Sequence, residues 1–363
     1  MFAKLILLLT LAAGPWVTDM HKDGFSVVWT SGDDCTGFVQ LADGQRFYEE
    51  YAGRKVHGRF HEVRLTGLKE GSSVSYMIGC RPLLDNSNPR RPKYGDEVLS
   101  GPYAVRTFTG SGNSCRFSIF NDQHMNIRRY STLASQVDTA VTDFIFLNGD
   151  LISAGHHSTD SLAKYEISPL GRKASILPVM FARGNHEGRG DGIRNVAKLF
   201  SRSGELPFTY MFREGPAAFV VFDAGETGVK NSLAFCGDTV YTDYLNRQMA
   251  WAAEAFKSPE WRSAKVRICL LHVPMVDLGI PHDYVVHAWM NHNIVPMLNK
   301  AGVNLMIGAD LHEYLYVPVG GMGNSFPILV NDNNSRAEVI VEGSRIEVDM
   351  FDVNGYVSHS HEF

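Results

Sequence analysis

Five short apolar runs in this chain each stop at a residue able to bind a cation. Phe117–Phe120 leads into Asp122 and His124, Asp143–Leu147 into Asp150, and Pro178–Ala182 into Asn185 and His186. Arg267–Leu271 leads into His272, and Val303–Gly308 into Asp310 and His312. Such runs, four to six residues long and bounded by Gly, Asn or Asp, read as fully buried strands. Helical spacing marks Tyr130–Val141, Tyr244–Phe256 and Asn291–Ala301 between them. Strand, helix, strand in repetition implies a largely parallel sheet. In such sheets ligands gather outside the carboxyl ends of the strands, so one crevice collects residues distant in sequence.

Aspartate and asparagine oxygens and histidine nitrogens hold Mn, Fe, Zn or Mg, and a carboxylate can bridge two ions. Two ions about 3.5–4 Å apart clamp both sides of a phosphoryl transfer and bring the pKa of a water towards ~7. The blocks Asp122-x-His124, Gly149-Asp150, Gly184-Asn185-His186-Glu187, His272 and Asp310-x-His312 resemble the calcineurin-like metallophosphoesterase superfamily over about residues 114 to 355. The resemblance implies that Asp122, His124 and His312 hold a first metal, Asp150 bridges, and Asn185, His272 and Asp310 hold a second. It also implies that His186 contacts the phosphoryl group and protonates the leaving oxygen, a role its titration range suits, with Asp122 orienting it. A lone Gly-Asp or lone His is by default a turn residue or a satisfied core group. The weight lies in all five blocks occurring in family order.

Two departures qualify the resemblance. Where the family reads Gly-His-x-His, this chain reads Ala309-Asp310-Leu311-His312, so a carboxylate stands in place of a histidine. Three carboxylates, Asp122, Asp150 and Asp310, make a harder second position, tilted to Mn, Fe or Mg rather than Zn, with Mn and Fe favoured. The competing reading turns Asp310 away and leaves a catalytically weak or inactive binding module. In addition, Ser153 stands where purple acid phosphatases place a metal-binding tyrosine, which implies a non-purple relative.

The front of the chain has a different texture. Phe25–Trp29, Thr36–Leu41, His61–Leu65, Ser73–Ile78 and Ala104–Phe108 read as strands of an antiparallel sandwich. Gly14–Val17, Val27–Trp29, Leu65–Leu68 and the strand around Tyr76 resemble the fibronectin-III-like domain that precedes purple acid phosphatases. With 363 residues there is material for two domains. The expected division is a leader at 1–13, an all-β sandwich at 14–109 and an α/β metallophosphoesterase domain at 114–363, with residues 110–113 as junction. Strands at Ala337–Val341 and Arg345–Met350 would complete its four-layer α-β-β-α core. The sandwich is expected to pack and stabilise, and no residue in it is nominated for catalysis.

Met1–Ala13 reads as a short secretory leader, or else as an added first strand; the first implies a secreted or periplasmic protein, the second allows a cytoplasmic one. No later stretch approaches the ~18 apolar residues a spanning helix needs. Cys35 and Cys80 can pair if the protein is exported, Cys269 reads as a buried thiol, and Cys115 and Cys236 stay open. A net charge of −5 offers no broad basic footprint, so small phosphate esters are favoured over nucleic acid as substrate. Near the crevice, His156, His157, His282, His287 and His292 read mainly as solvated loop residues. Arg183 and Arg189 read equally as phosphate ligands or surface salt bridges, and Glu187 as the orienter of a neighbour.

Overall fold

The computed structural model describes residues 11–153, 157–228, 240–279 and 285–363. The front unit is built on β1 (Leu11–Thr18), β2 (Gly24–Leu41), β3 (His57–Thr66), β4 (Ser73–Asp85) and β5 (Val98–Arg106). The segments expected as separate strands at 25–29 and 36–41 are one strand, β2, which changes partners along its length. Its first part, Gly24–Thr30, pairs with β3, and its second part, Cys35–Leu41, pairs with β4. The register with β3 shifts between Thr30 and Cys35, a bulge-type irregularity that bends the strand, and at Cys35 and Thr36 β2 pairs with β3 on one side and β4 on the other. Leu11 and Ala13, assigned above to the leader, pair with Ser31 and Thr30 of β2. The rest of the leader reading, together with His156, Cys236 and His282, lies outside the described residues.

Two six-stranded sheets form the rear unit. The first has the order β8-β7-β6-β15-β16-β17, where β6 is Ser114–Phe120, β7 Phe144–Asn148, β8 Val179–Ala182, β15 Ser335–Glu342, β16 Arg345–Asp352 and β17 Val357–Glu362. In the second the order is β9-β10-β11-β12-β14-β13, with β9 at Tyr210–Glu214, β10 at Ala217–Val221, β11 at Val266–Leu270, β12 at Leu305–Gly308, β13 at Leu315–Val317 and β14 at Ile328–Val330. β6, β7 and β8 run parallel, as do β10, β11, β12 and β14.

Alternation along each strand explains why these runs are apolar throughout. Phe144 and Phe146 of β7 enter the core between the sheets, while Ile145 and Leu147 enter the core beneath the helices of the first sheet. Ala217, Phe219 and Val221 of β10 face the same central core, and Ala218 and Val220 face the opposite helical layer. A strand covered on both faces has no polar side. Helices thus flank two sheets on the outside, giving the four-layer α-β-β-α arrangement. The central core also continues into the front unit through Val63, Tyr76 and Phe108, so the two units share one apolar cluster.

Helix boundaries depart from their expected positions for local reasons. The helix expected at 130–141 is α1 (Ile127–Ser135), started earlier because the Asn126 side chain caps the amide of Arg129. The helix expected at 291–301 is two, α4 (Val286–Asn293) and α5 (Val295–Ala301), because Pro296 lacks an amide hydrogen and opens the second. Among the described residues no helix is long and apolar enough to cross a membrane. Cys35 and Cys80 form a disulfide, while Cys115 and Cys269 are buried free thiols.

Candidate metal centre

All five ligand-bearing loops leave the carboxyl ends of β6, β7, β8, β11 and β12, as the sequence predicts. The loop after β6 is laid along the loop after β7: Asp122 N donates to Gly149 O at 3.0 Å and His124 N to Asp150 O at 3.0 Å. Close approach of the loops after β7 and β8 needs glycine. A Cβ on Gly149 would lie 2.5 Å from Gly184 N, and one on Gly184 would lie 2.2 Å from Asp150 Oδ1. Neither sheet alone holds the site; the two sheets meet in it.

Asp122, His124, Asp150, Asp310 and His312 all have positive φ, between 45° and 67°. Non-glycine residues adopt this conformation at a cost of order 1–3 kcal/mol each, and such positions cluster at functional sites. No spacing in the sequence announces it.

Asp150 Oδ2 is the hub. It lies 3.3 Å from His272 Nε2, 3.6 Å from His186 Nε2 and 3.9 Å from His124 Nε2, while Asp150 Oδ1 accepts the His186 amide at 2.9 Å. Burial opposes the charge on Asp150, but His272 and His186 outweigh it and bring the pKa down to about 2. To one side, His124 Nε2 and His312 Nε2 face each other at 3.0 Å, and His312 Nε2 lies 3.2 Å from Asp122 Oδ1. To the other, His272 Nδ1 meets the Asn148 carbonyl at 2.6 Å. A carbonyl only accepts, so a proton sits on Nδ1 and Nε2 is the nitrogen turned toward Asp150, Asp122 and Asp310. Burial opposes charge on the ring, but these carboxylates raise its pKa well above the usual imidazole value, so a cation would displace a proton there.

Asn185 is held in the same manner. Its Nδ2 donates to Glu226 Oε1 at 3.0 Å, which turns Oδ1 away from Glu226. Asp310 stays in the crevice: Oδ1 is 3.7 Å from His272 Nε2, and Oδ2 accepts from His287 Nε2 at 2.9 Å. Three buried atoms of this constellation, Asp122 Oδ1, Asn185 Oδ1 and His272 Nε2, have no hydrogen-bond partner. Orphaned polar atoms of this kind are costly in a protein interior. Three unpartnered ligand-type atoms on loops that meet at Asp150 fit a cation.

Asp122 does not orient His186. The nearby carboxylate is Asp150, and the His186 ring is placed by Ser153 O at Nδ1 and by Arg189, whose NH1 donates to Nε2 at 2.8 Å. Asp122 is instead fixed through Oδ2, which accepts from Asn121 Nδ2 at 2.8 Å and from the Asp310 amide at 3.2 Å. Of the flanking arginines, Arg183 is neither a phosphate ligand nor a surface salt bridge: it is buried and clamps Asp223 at 2.9 and 2.8 Å. Arg189 grips Glu226 with two 2.9 Å bonds while reaching His186. Glu187 accepts the amides of Asp150, Leu151 and Gly184, each at 2.9 Å, and so pins the two loops together. His157 contacts Ser161 at 3.2 Å, and His292 lies on α4.

The family and the fold find counterparts in known proteins. Residues 115–314, more than half of the chain, match the family model described as calcineurin-like phosphoesterase. The chain belongs to that family. Among solved structures it is similar to purple acid phosphatase PPD1 from yellow lupin (Lupinus luteus) seeds, at 15% identity and TM-score 0.64, covering 96% of this chain and 73% of that one. It is also similar to GAP50, the anchor in the inner membrane complex of Plasmodium, at 13% identity and TM-score 0.51, covering 69% of this chain and 88% of that one. No curated protein matches it. As a family member it has the Asp/His clusters expected to hold divalent metal: Asp122, His124 and His312; Asp122, Asp150 and His272; and His124, Asp150 and His186.

Two further residues support the centre. Glu226 lies beyond the five motif blocks, after the run Ala217–Phe222, which has the same apolar form and ends at Asp223 and Glu226. His287, which reads from sequence as a solvated loop residue, is buried against Asp310.

Proposed function

We propose that this protein hydrolyses small phosphate esters, as a phosphomonoesterase or phosphodiesterase, at a dinuclear metal centre. The observation that carries the reading is the approach of Asp122 Oδ1 and His272 Nε2, both without a hydrogen-bond partner, to 3.8 Å of each other, with His272 Nε2 3.3 Å from Asp150 Oδ2 and the unpartnered Asn185 Oδ1 in the loop whose His186 amide donates to Asp150. On this reading Asp122, His124 and His312 would hold one cation and Asn185, His272 and Asp310 the other, with Asp150 available to both. Cations held there would supply positive charge for the phosphoryl oxygens and a water more acidic than bulk.

The remaining work falls to side chains of this chain. His186 stands at the rim with Nδ1 on Ser153 O, so Nε2 is the nitrogen left to exchange a proton with the leaving oxygen, for which it would give up the hydrogen bond it accepts from Arg189. Arg189, fixed by Glu226, brings a guanidinium to the same point and supports negative charge developing there. Three carboxylates in the donor set favour Mn or Fe, with Mg also compatible, over Zn. Ser153 at the position of the family tyrosine supports a non-purple relative of the purple acid phosphatases. The fold of the front unit supports a fibronectin-III-like domain that buttresses the centre.

A binding or structural module without turnover is the second reading, and the observation in its favour is that one oxygen of Asp310 is already engaged by His287. Metal analysis joined to hydrolysis of aryl phosphate and bis-aryl phosphate decides between them. Two metals per chain, with turnover lost in Asn185→Ala and His186→Ala, is the expected result. One metal or none, with no turnover under added Mn, Fe, Mg or Zn, would establish the module instead. The ratio of rates on the two esters then separates monoesterase from diesterase.

A further inference from the structure

The front unit carries a second group of soft donors far from the phosphoesterase chemistry in sequence. The bend in β2 places Ser31 and Cys35 beside His61 of β3, and Cys80 comes in from β4. Cys35 Sγ is 3.3 Å from His61 Nε2, Ser31 Oγ is 3.0 Å from the same nitrogen, and Cys35 Sγ and Ser31 Oγ are 3.7 Å apart. Donor atoms of Cys35, His61 and Cys80 all fall within 4.8 Å of one another. All four residues are at most 2% exposed. The imidazole is held in place by stacking on Trp29, with ring centres 4.9 Å apart, and by the absence of a side chain at Gly37, where a Cβ would lie 2.6 Å from His61 Nδ1.

From these positions we propose a redox-gated binding site for a soft divalent cation such as Zn²⁺, held by Cys35, Cys80 and His61, with Ser31 or a water in the fourth place. Tetrahedral zinc with bonds of about 2.3 Å to sulfur and 2.0 Å to nitrogen spaces sulfur from nitrogen by about 3.5 Å. The Cys35–His61 separation of 3.3 Å is already close to that value. What stands in the way is the Cys35–Cys80 bond. A dithiol reductant opens it by exchange: one reductant thiolate attacks a cysteine sulfur and the other cysteine leaves as thiolate. The second reductant thiol then displaces the first cysteine and closes a ring disulfide. Two electrons and two protons pass to the protein, giving two cysteine thiols and one oxidised reductant.

Cation binding then releases the two thiol protons, and two thiolates balance a divalent charge, so the buried site carries no net charge. His61 suits the ligand role, because burial keeps its imidazole neutral, with the pKa down at about 4. The Ser31 hydroxyl proton has an acceptor in Asp33 O at 2.7 Å, which leaves an oxygen lone pair for the cation. Closed sites of this donor set are structural rather than catalytic.

Cobalt(II) is the probe, used anaerobically on the full-length protein before and after treatment with a dithiol. Oxygen and nitrogen ligands of the phosphoesterase centre give no thiolate-to-cobalt charge-transfer absorption, so that band reports this site alone. The expected result is a gain of two titratable thiols, one additional cobalt per chain, a charge-transfer band that excess zinc removes, and unchanged far-ultraviolet dichroism. His61→Gln keeps both sulfurs and should weaken cobalt binding about tenfold or more, and Cys80→Ser should abolish the band. Reduced, folded wild-type protein without the band would overturn the proposal. So would a disulfide that resists the dithiol until the chain unfolds, which identifies it as a permanent cross-link.

Discussion

The front and rear units treat their buried polar groups differently where the two meet and where the crevice opens. At the junction these groups find partners across it: Trp16 Nε1 donates to Leu199 O at 2.8 Å, Thr18 Oγ1 to Val179 O at 2.8 Å, and Tyr76 Oη to Ser175 O at 2.8 Å. Asp19 is gripped by Arg64 at 2.8 Å and, from the rear unit, by Arg202 at 2.9 Å. In the crevice the opposite holds. Left-handed backbone occurs in both places, at Asp19 and Ser201 of the junction as well as at five crevice residues, but in the crevice the unpartnered Asp122 Oδ1, Asn185 Oδ1 and His272 Nε2 fall on neighbouring loops. Satisfied groups act as glue, whereas a cluster of unsatisfied ones marks where something else must bind. Stability and function therefore occupy separate residues, and the contrast is open to test.

The largest effect should come from the hub. Asp150→Asn preserves size and should cut hydrolysis of aryl phosphate by about three orders of magnitude, the scale of losing a principal charge stabiliser. Its metal-free melting temperature should stay within about 3 °C of wild type. A collapse of the fold would show that the crevice is structural after all. Next come the residues behind the ligands. Glu226→Ala and His287→Ala should each weaken metal affinity 10- to 100-fold, read by competition with a chromophoric chelator, as is usual for groups that orient ligands. Wild-type affinity in both would mean that Asn185 and Asp310 do not need holding.

The smallest effect belongs to the junction. Asp19 is mostly buried; burial raises its pKa, but His21, Arg202 and Arg64 reverse this and lower it from 3.8 to about 2. A carboxyl with a depressed folded pKa contributes stability above its unfolded pKa and loses it as the pH falls through the folded value. Urea unfolding should therefore show about 1–2 kcal/mol lost between pH 4 and pH 2 on this account. Asp19→Asn should show that loss already at pH 7 and lack that part of the pH dependence, with kcat/KM unchanged. A fall in kcat/KM would break the division of labour between the units.

Much of this was legible in the residues. The five apolar runs locate their strands within a few positions, and of the seven ligand candidates at their ends Asp122, His124, Asp150, His272, Asp310 and His312 each lie within 4 Å of another. Pro296 in the expected helix at 291–301 carried the signal for its interruption, and the run at 217–222 carried the signal for Glu226. Other features had no such trace. The merging of two expected strands into β2 depends on which neighbours each half pairs with, and pairing partners are not written into a strand's own periodicity. The exchange of Asp122 for Asp150 beside His186 turns on a few tenths of a nanometre between loops of the same sheet.

Sequence alone determined which residue types stand at strand ends and therefore what chemistry is available, because burial on both faces forces apolar runs and leaves polar ligands only where the runs stop. Tertiary structure alone decided how those ligands are aimed. Asn148 takes Nδ1 of His272 and Glu226 takes Nδ2 of Asn185, which leaves Nε2 and Oδ1 as the unpartnered atoms of the two groups. Those partners lie 124 and 41 residues away in the chain, and only packing brings them within hydrogen-bond reach.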